Sequence, residues 1–544
     1  MCPNELDRRD FLKFLLGGIS ASALDWTALP RGVLAQTAGN EFDAVIIGSG
    51  LGGLACAAAF ARQGFRPLVL EKHDRAGGYA TSFERPGGFV FDVSLHSTTA
   101  DERNGIHNLI PGFPEITDVE FVPHPNLYRA VFPAYDFRVE QKNIQGYIDL
   151  LTGYFPEEGE GIKALVGDMQ GLVADIRRYS AAGGQVDMSR FPMDFPFLFQ
   201  NYARTWGQMV DARITNPKLK AIVSSQWGYY GLPPSKLAAF YYAIPAIGYM
   251  EAGGYYPRGR SQNISNAFVG FIEGHGGKVL LKTEVEKIIV EEGAAKGVRA
   301  KNGKTYKARV VVSNANAYDT FHSMLEGAEA PADYLAQLDR YSVSLSSFQV
   351  FLGLKKDLVR EAGIGDTEIF VAPGYDDDAG YEAARRADIE SCGYGLTLYD
   401  NLFEGYSPKG KNTVNIIALQ GYDPWEKFAP DYWAGNKKAY RAEKERMARV
   451  LIEKVEKKFL PGLSKAIEVI EVATPLTNIR YTRNYRGAIY GWDQTLDNSG
   501  QSRLPHKTPV KNLFLAGAWT RPGHGYGAVI PSGLECFGEI VQDW

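Results

Sequence analysis

The sequence predicts an α/β protein, and three observations carry that prediction. An apolar strand, Asp43-Ala-Val-Ile-Ile, runs into Gly48-Ser49-Gly50-Leu-Gly-Gly53 and then into an alanine-rich helix. A second apolar strand, Pro67-Leu-Val-Leu, ends in Glu71, about 20 residues after the first glycine. Near the other end of the 544-residue chain, Asn512-Leu-Phe-Leu-Ala-Gly517-Ala518-Trp repeats the strand-then-glycine pattern and leads to Gly523-His-Gly525-Tyr526-Gly527.

The first segment reads as a cradle for a nucleotide pyrophosphate. Gly48 allows the tight turn, Gly50 lets backbone approach phosphate, and Gly53 lets helix pack on strand, while the helix N-terminus offers N–H groups and a positive dipole end. Ser49 lies within the loop itself. Glu71 stands where one carboxylate accepts both ribose hydroxyl protons, and strand, cradle and carboxylate together are far more specific than the glycines alone. Next comes Arg75-Ala-Gly77-Gly78-Tyr-Ala-Thr81, whose glycines suit close passage beside a ligand and whose Arg75 and Thr81 offer donors to an anion.

With the Tyr256-Pro-Arg-Gly-Arg-Ser-Gln262 segment added, the chain resembles the FAD-dependent amine-oxidase-like superfamily, in its branch of phytoene desaturases, carotenoid isomerases and retinol saturases. The resemblance runs from about Phe42 to the C-terminus, strong at both ends and loose in the middle. It implies FAD as cofactor and a Rossmann-like, glutathione-reductase-type FAD-binding domain with an inserted mixed α+β substrate domain. The closing strand would run beside the first, bringing Gly517 and Ala518 to the ribityl chain and Gly525, Tyr526 and Gly527 to the flavin ring. A helix starting near Ser532 would point its N-terminus at the ring. Backbone around Val285 would meet the adenine, or Val285 is simply core. Three positions depart from the family pattern: Ala518 where many relatives carry an acid, Arg260 in place of a glycine, and Tyr79 where a number have arginine.

Because the cofactor motifs lie at opposite ends, the cofactor domain is expected to be discontinuous, from 40–122, 251–314 and 471–544, with 123–250 and 315–470 forming the substrate domain. The strand-like stretch from Gly276 to Ser313 would rejoin the cofactor domain. Glu273-Gly-His-Gly-Gly277 lacks a preceding strand and reads as a helix-ending turn, so no second dinucleotide site is expected. With 59 basic and 63 acidic residues and no basic stripe, nucleic acid is excluded as a partner. No CxxC or His/Cys cluster suggests a metal, and Cys56 and Cys536 read as small buried hydrophobes rather than parts of a disulfide framework.

Residues 1–38 read as a leader. Asp7-Arg-Arg-Asp-Phe-Leu-Lys13 before a modestly apolar stretch resembles a twin-arginine export signal, which implies a folded, exported, periplasmic or membrane-associated protein; an amphipathic anchor and a chance pairing of arginines are the other readings. The middle is rich in aromatics, including Phe191-Pro-Met-Asp-Phe-Pro-Phe-Leu-Phe199, a run that prolines keep from being a regular helix. Such walls suit a long apolar ligand or the core of a large domain, and this run suits a tunnel rim or a peripheral membrane contact.

Candidates for chemistry are few, since a flavin would carry most of it. His96 and His524 stand where an imidazole would bond the ring or substrate or move a proton, and each also reads as a structural histidine. Tyr490 and Tyr526 are candidates for stacking against a conjugated chain. The leading expectation is an FAD-dependent oxidoreductase that desaturates, saturates or isomerises carbon–carbon bonds of a lipophilic polyene such as a carotenoid or retinoid, with an unidentified electron donor or acceptor. The alternatives are an amine or amino-acid oxidase releasing hydrogen peroxide, and an exported flavin-containing lipid-binding protein.

Overall fold

The computed structural model describes residues 41–99, 110, 112–182, 186–187 and 189–544. The export-signal segment falls outside the described residues. Two sheets organise the rest. The first contains β1 (Glu41–Ile47), β2 (Pro67–Leu70), β3 (Lys278–Leu280), β4 (Val285–Glu291), β5 (Ala294–Ala300), β6 (Thr305–Ser313), β7 (Leu325–Glu326) and β8 (Leu513–Leu515). Its order is β3-β2-β1-β6-β5-β4-β7, with β8 paired to β6. β3, β2, β1, β6 and β8 run parallel, whereas β4, β5 and β6 form an antiparallel meander.

The apolar runs of β1 and β2 are buried on both faces, as a covered parallel sheet requires. Helix α1 (Leu51–Arg62) links these two strands, and every residue from Leu51 to Ala61 is buried. Small side chains let it press against the closing helix, Tyr526–Gln542: a Cβ on Gly533 would stand 2.3 Å from the Gly52 carbonyl oxygen. Around this point Phe60 meets Phe537 edge-on at 4.8 Å between centroids. The thiols of Cys56 and Cys536 also face each other there, and burial pushes that of Cys536 well above its ordinary range. The two ends of the chain are thus packed as one layer.

Two expectations about the closing segment need correction. β8 does not lie beside β1, because β2 and β6 already occupy both edges of that strand; β5 takes residues 305–307 of the outer edge of β6, and β8 takes 311–313. The closing helix begins at Tyr526 rather than near Ser532, since Gly525, at φ 90°, turns the chain and Pro531 is accommodated inside the helix.

The second sheet runs Ile467–Ala473, Ser346–Leu354, Asn412–Gln420, Tyr394–Thr397, Glu368–Val371, Tyr128–Val131, Asp136–Val139. All pairings are antiparallel except that of Glu368–Val371 with Tyr128–Val131. Helices Gly159–Ala181 and Ala239–Ala252 share its core. Two stretches fall on unexpected sides: β7, from the substrate segment, pairs with β4, and Ile467–Ala473 crosses the 470/471 boundary to pair with Ser346–Leu354. The Phe191–Phe199 run folds into two short helices, Phe191–Asp194 and Pro196–Asn201, which bury Phe191 and Leu198 and expose Met193. No described helix is long and apolar enough to cross a membrane.

Candidate cofactor site and active site

The glycine positions of the cradle are set by contact. Gly48 adopts φ 90°, and a Cβ on Gly53 would stand 2.4 Å from the Gly48 carbonyl oxygen, so helix α1 sits against the turn only because that side chain is missing. Cβ atoms at Gly50 and Gly52 would meet Asn314 Nδ2 at 2.8 Å and Gly517 Cα at 2.7 Å. Asn314, just past β6, donates from Nδ2 to the Gly48 carbonyl at 3.3 Å and stands between the two chain ends. Sequence reasoning did not single it out; its only signal is a polar residue immediately after a buried apolar strand. No side chain caps α1, so its first N–H groups face the cavity without an internal partner, the arrangement that receives a phosphate.

Glu71 is held rigidly and lines the cavity. Its Oε2 accepts from Ser49 N at 2.9 Å and Ser49 Oγ at 2.7 Å, and its Oε1 accepts from His73 N at 2.8 Å. Ser49 therefore orients the carboxylate, being fully buried itself. Gly77 and Gly78 both have positive φ and pack onto the cradle, with Gly77 N donating to Ser49 O at 2.9 Å. Thr81 is turned inward, its hydroxyl donating to Gly78 O at 3.0 Å. Arg75 is aimed away from the cavity: its guanidinium donates to Ser82 O at 2.6 Å and it does not line the space. Tyr79 lines the cavity instead, and burial pushes its phenol up to about 12.

At the other end, Gly517 takes φ 95°, and a Cβ there would stand 2.4 Å from Asn314 Oδ1. Behind Ala518 lies Arg503, fully buried, donating to the carbonyls of Trp492, Asp493, Asn498, Ala518 and Thr520. Burial lowers its guanidinium to about 10, so it stays charged at neutral pH. Gly525 and Gly527 face open space: a Cβ on either would meet nothing within 4 Å. The closing helix that begins between them has no side-chain cap, and the buried Tyr526 hydroxyl faces Ser261, Ser94 and Asp92. Ser532, from the second turn of that helix, accepts from Gly517 N at 2.9 Å and ties helix to strand.

His524 and Tyr490 meet at 4.3 Å between ring centroids. Tyr490 donates to Gly228 O at 2.8 Å, and burial pushes its phenol above the ordinary range. Burial, assisted by the nearby charge of Arg503, pushes His524 down to about 3, so its imidazole is neutral at neutral pH. Its Nδ1 has no partner.

The glycines at 48, 50, 77, 78, 517, 525 and 527, with Glu71, Tyr79, Tyr490 and His524, line one cavity of about 1010 Å³. Glu71, Val285 and Lys301 lie in one part of its wall, and Gly48, Gly50, Gly78, Gly517 and Ala518 in another. Gly525–Gly527, His524, Tyr490 and His96 lead on to an apolar part formed by Val173, Ile176, Leu198, Phe240 and Ile244. Glu368 and Thr397, from the second sheet, stand directly behind His96, and sequence reasoning named neither. The space, the uncapped helix N-termini and the carboxylate at the end of β2 fit a long dinucleotide whose ring would lie at Gly525–Gly527.

Comparisons agree with that geometry. The family model described as flavin containing amine oxidoreductase matches residues 51–536. A prolycopene isomerase from an Oncidium hybrid cultivar is 26% identical over 96% of this chain and 90% of its own length. An all-trans-retinol 13,14-reductase from Danio rerio is 27% identical over 95% and 88%. Among solved structures, cyclohexylamine oxidase from Brevibacterium oxydans superposes with a TM-score of 0.58 at 17% identity, covering 92% of this chain and 99% of that one. Putrescine oxidase bound to putrescine gives 0.60 at 14%, covering 92% and 98%. The match along nearly the whole described chain, together with a cradle built from both ends, shows that the protein belongs to the flavin containing amine oxidoreductase family and uses FAD.

Proposed function

We propose that the protein is an FAD-dependent oxidoreductase acting on carbon–carbon bonds of a lipophilic, isoprenoid-type polyene, by desaturation, saturation or isomerisation, on a glutathione-reductase-type FAD-binding domain. The observation that carries this reading is the apolar part of the cavity. Between residues 173 and 249 its lining includes Val173, Ile176, Leu198, Phe240, Ile244 and several tyrosines, but no carboxylate. The one cation among those lining residues, Arg177, is paired with Glu251 at 3.2 Å. An amine substrate would leave its charge there without an anionic partner, whereas a polyene loses nothing by being desolvated. The names of the two relatives, a prolycopene isomerase and a retinol reductase, support the same substrate class.

When bound, FAD supplies hydride chemistry at its ring. The chain's own part is positional and electrostatic. Gly525 and Gly527 leave open space, His524 offers a neutral imidazole, and Arg503 behind Ala518, with the closing-helix N-terminus, would favour the negative charge of a reduced ring. Tyr490 and Tyr526 offer rings beside a conjugated chain. Met193, 69% exposed, and Phe199, 37% exposed, flank Leu198 of the cavity wall and support entry of the substrate from a membrane surface. Export by the twin-arginine route rests on the Arg8–Arg9 pair and accords with a protein that folds around its cofactor first.

The test is product analysis with all-trans-retinol and prolycopene, using the holoprotein in oxidised and reduced forms under anaerobic conditions, alongside mass spectrometry of any lipid that copurifies. Conversion of either polyene with a matching change in flavin absorbance is expected. Peroxide release on addition of amines, with no polyene converted, would overturn the reading in favour of an amine oxidase. Binding of polyene without turnover would mark a carrier.

A further inference from the structure

A polyene that gains or loses hydrogen exchanges a proton as well as a hydride, and an apolar wall has few groups to move it. Three segments converge on one point of this wall. Glu368 opens the strand Glu368–Val371 and pairs in register with Thr397, the last residue of Tyr394–Thr397. His96 reaches them from the loop after strand Phe89–Asp92 and lines the cavity. Its Nδ1 lies 2.6 Å from Thr397 Oγ1 and 3.4 Å from Glu368 Oε2, and Thr397 Oγ1 donates to Glu368 Oε2 at 3.3 Å. No hydrogen bond engages Nε2 of His96 among the described residues, so that nitrogen remains for the cavity.

The carboxyl of Glu368 is 2% exposed, its Oε1 has no partner, and among the described residues no lysine or arginine pairs with it. Tyr229, Tyr249 and Tyr399 also face it, all with phenols pushed up by burial. Nearby, His124 bonds Thr367 Oγ1 at 2.6 Å and is pushed down to about 4 by burial and by His96, so it brings no compensating charge at neutral pH. Burial raises Glu368 above the ordinary carboxylate range. A buried carboxyl without a fixed cation, joined through a hydroxyl to a cavity imidazole, has the parts of an acid–base relay.

We propose that Glu368, Thr397 and His96 form a proton relay at the cavity wall, in which Glu368 stores the proton and His96 passes it to or from the substrate carbon. This rests on the polyene reading above. In the saturating direction, the Nε2–H bond of His96 breaks as a C–H bond forms on one alkene carbon. The neighbouring carbon receives a hydride, with its two electrons, from reduced FAD. Nδ1 takes the Thr397 hydroxyl proton, which the Glu368 carboxyl proton replaces, leaving Glu368 as the carboxylate; a hydroxyl both donates and accepts, so it can serve as the link. Desaturation runs the same transfers in reverse. His96 is the group that touches substrate, and Glu368 and Thr397 act through it.

The experiment compares native holoprotein with Glu368→Gln, Thr397→Val and Thr397→Ser, using all-trans-retinol or prolycopene in single-turnover reactions and infrared difference spectroscopy without substrate. E368Q and T397V are expected to slow turnover by about 100-fold or more, T397S to stay within a few-fold of native, and all three to keep native FAD content and spectrum. The native-minus-E368Q infrared spectrum should contain a protonated carboxyl band at neutral pH. Equal rates in E368Q, or no such band, would overturn the relay. If native protein converts neither polyene, the substrate reading fails, and the infrared band still decides whether Glu368 holds a proton.

Discussion

Substitution of Glu71 by glutamine tests the cradle with the least disturbance, because shape is kept and only one oxygen becomes an amide nitrogen. Oε2 receives two donors from Ser49 and Oε1 receives one from the His73 backbone. The amide oxygen would remain with Ser49, where it satisfies two donors. Its NH₂ would then face the His73 N–H, donor against donor, across the 2.8 Å now occupied by a hydrogen bond. That mismatch is present with or without FAD and lowers stability; the affinity falls because the ribose loses its anionic acceptor, and a hydrogen bond to a charged group is worth about 1.5–3 kcal/mol. At about 1.4 kcal/mol per tenfold, E71Q should bind FAD at least about 10-fold, and up to about 150-fold, more weakly. The assay is removal of the flavin followed by titration with FAD, read by quenching of flavin fluorescence, with circular dichroism checking that the apoprotein is folded. A folded E71Q protein that binds FAD as tightly as the native one would refute the role given to this carboxylate.

Three further outcomes follow from the same geometry. Gly53→Ala places a Cβ 2.4 Å from the Gly48 carbonyl oxygen and should cost about 1–3 kcal/mol of stability, seen as a lowered thermal midpoint; an unchanged midpoint would show that α1 and the turn are not in tight contact. His124, pushed down to about 4, stays neutral in the folded protein while its unfolded counterpart protonates near the ordinary 6.5, so its contribution is lost as pH falls below that value. His124→Gln should therefore remove about 1.5 kcal/mol of the acid-induced loss between pH 6.5 and 5, measured by urea unfolding at the two pH values, and an identical pH dependence would contradict the buried neutral imidazole. Met193→Ser with Phe199→Ser should weaken cosedimentation with phospholipid vesicles while leaving FAD content unchanged; undiminished binding would place the membrane contact elsewhere.

What was legible in the sequence was local. A strand, a glycine turn and a helix in unbroken succession within a dozen residues declare a pyrophosphate cradle by their order alone, although only Gly53 answers a near neighbour, Gly48, while Gly50 and Gly52 answer Asn314 and Gly517 far along the chain. The closing motif was legible for the same reason, but its pairing partner was not: β8 joins β6, and nothing in Leu513–Leu515 states which strand edge is free. The start of the closing helix was misread because Pro531 and Ser532 look like an N-terminus, whereas Gly525 makes the turn six residues before Pro531. The place of Arg75 before two glycines suggests an anion donor, yet its guanidinium reaches Ser82 O instead. Asn314, Arg503, Thr397 and Glu368 carry no motif at all. They matter only through what the fold brings beside them, Gly48, Ala518 and His96, over separations that no local pattern encodes.

Both ends of the chain together form the site for one flavin dinucleotide, and the most direct measurement of this is the absorbance spectrum and cofactor stoichiometry of the purified protein. A yellow protein that releases one FAD per chain on denaturation, and that loses it when Gly50 or Gly525 is replaced by a bulky residue, is the expected result. A colourless protein that takes up no FAD, or one that holds a flavin lacking the adenine half, would contradict the site described between Gly48 and Gly527.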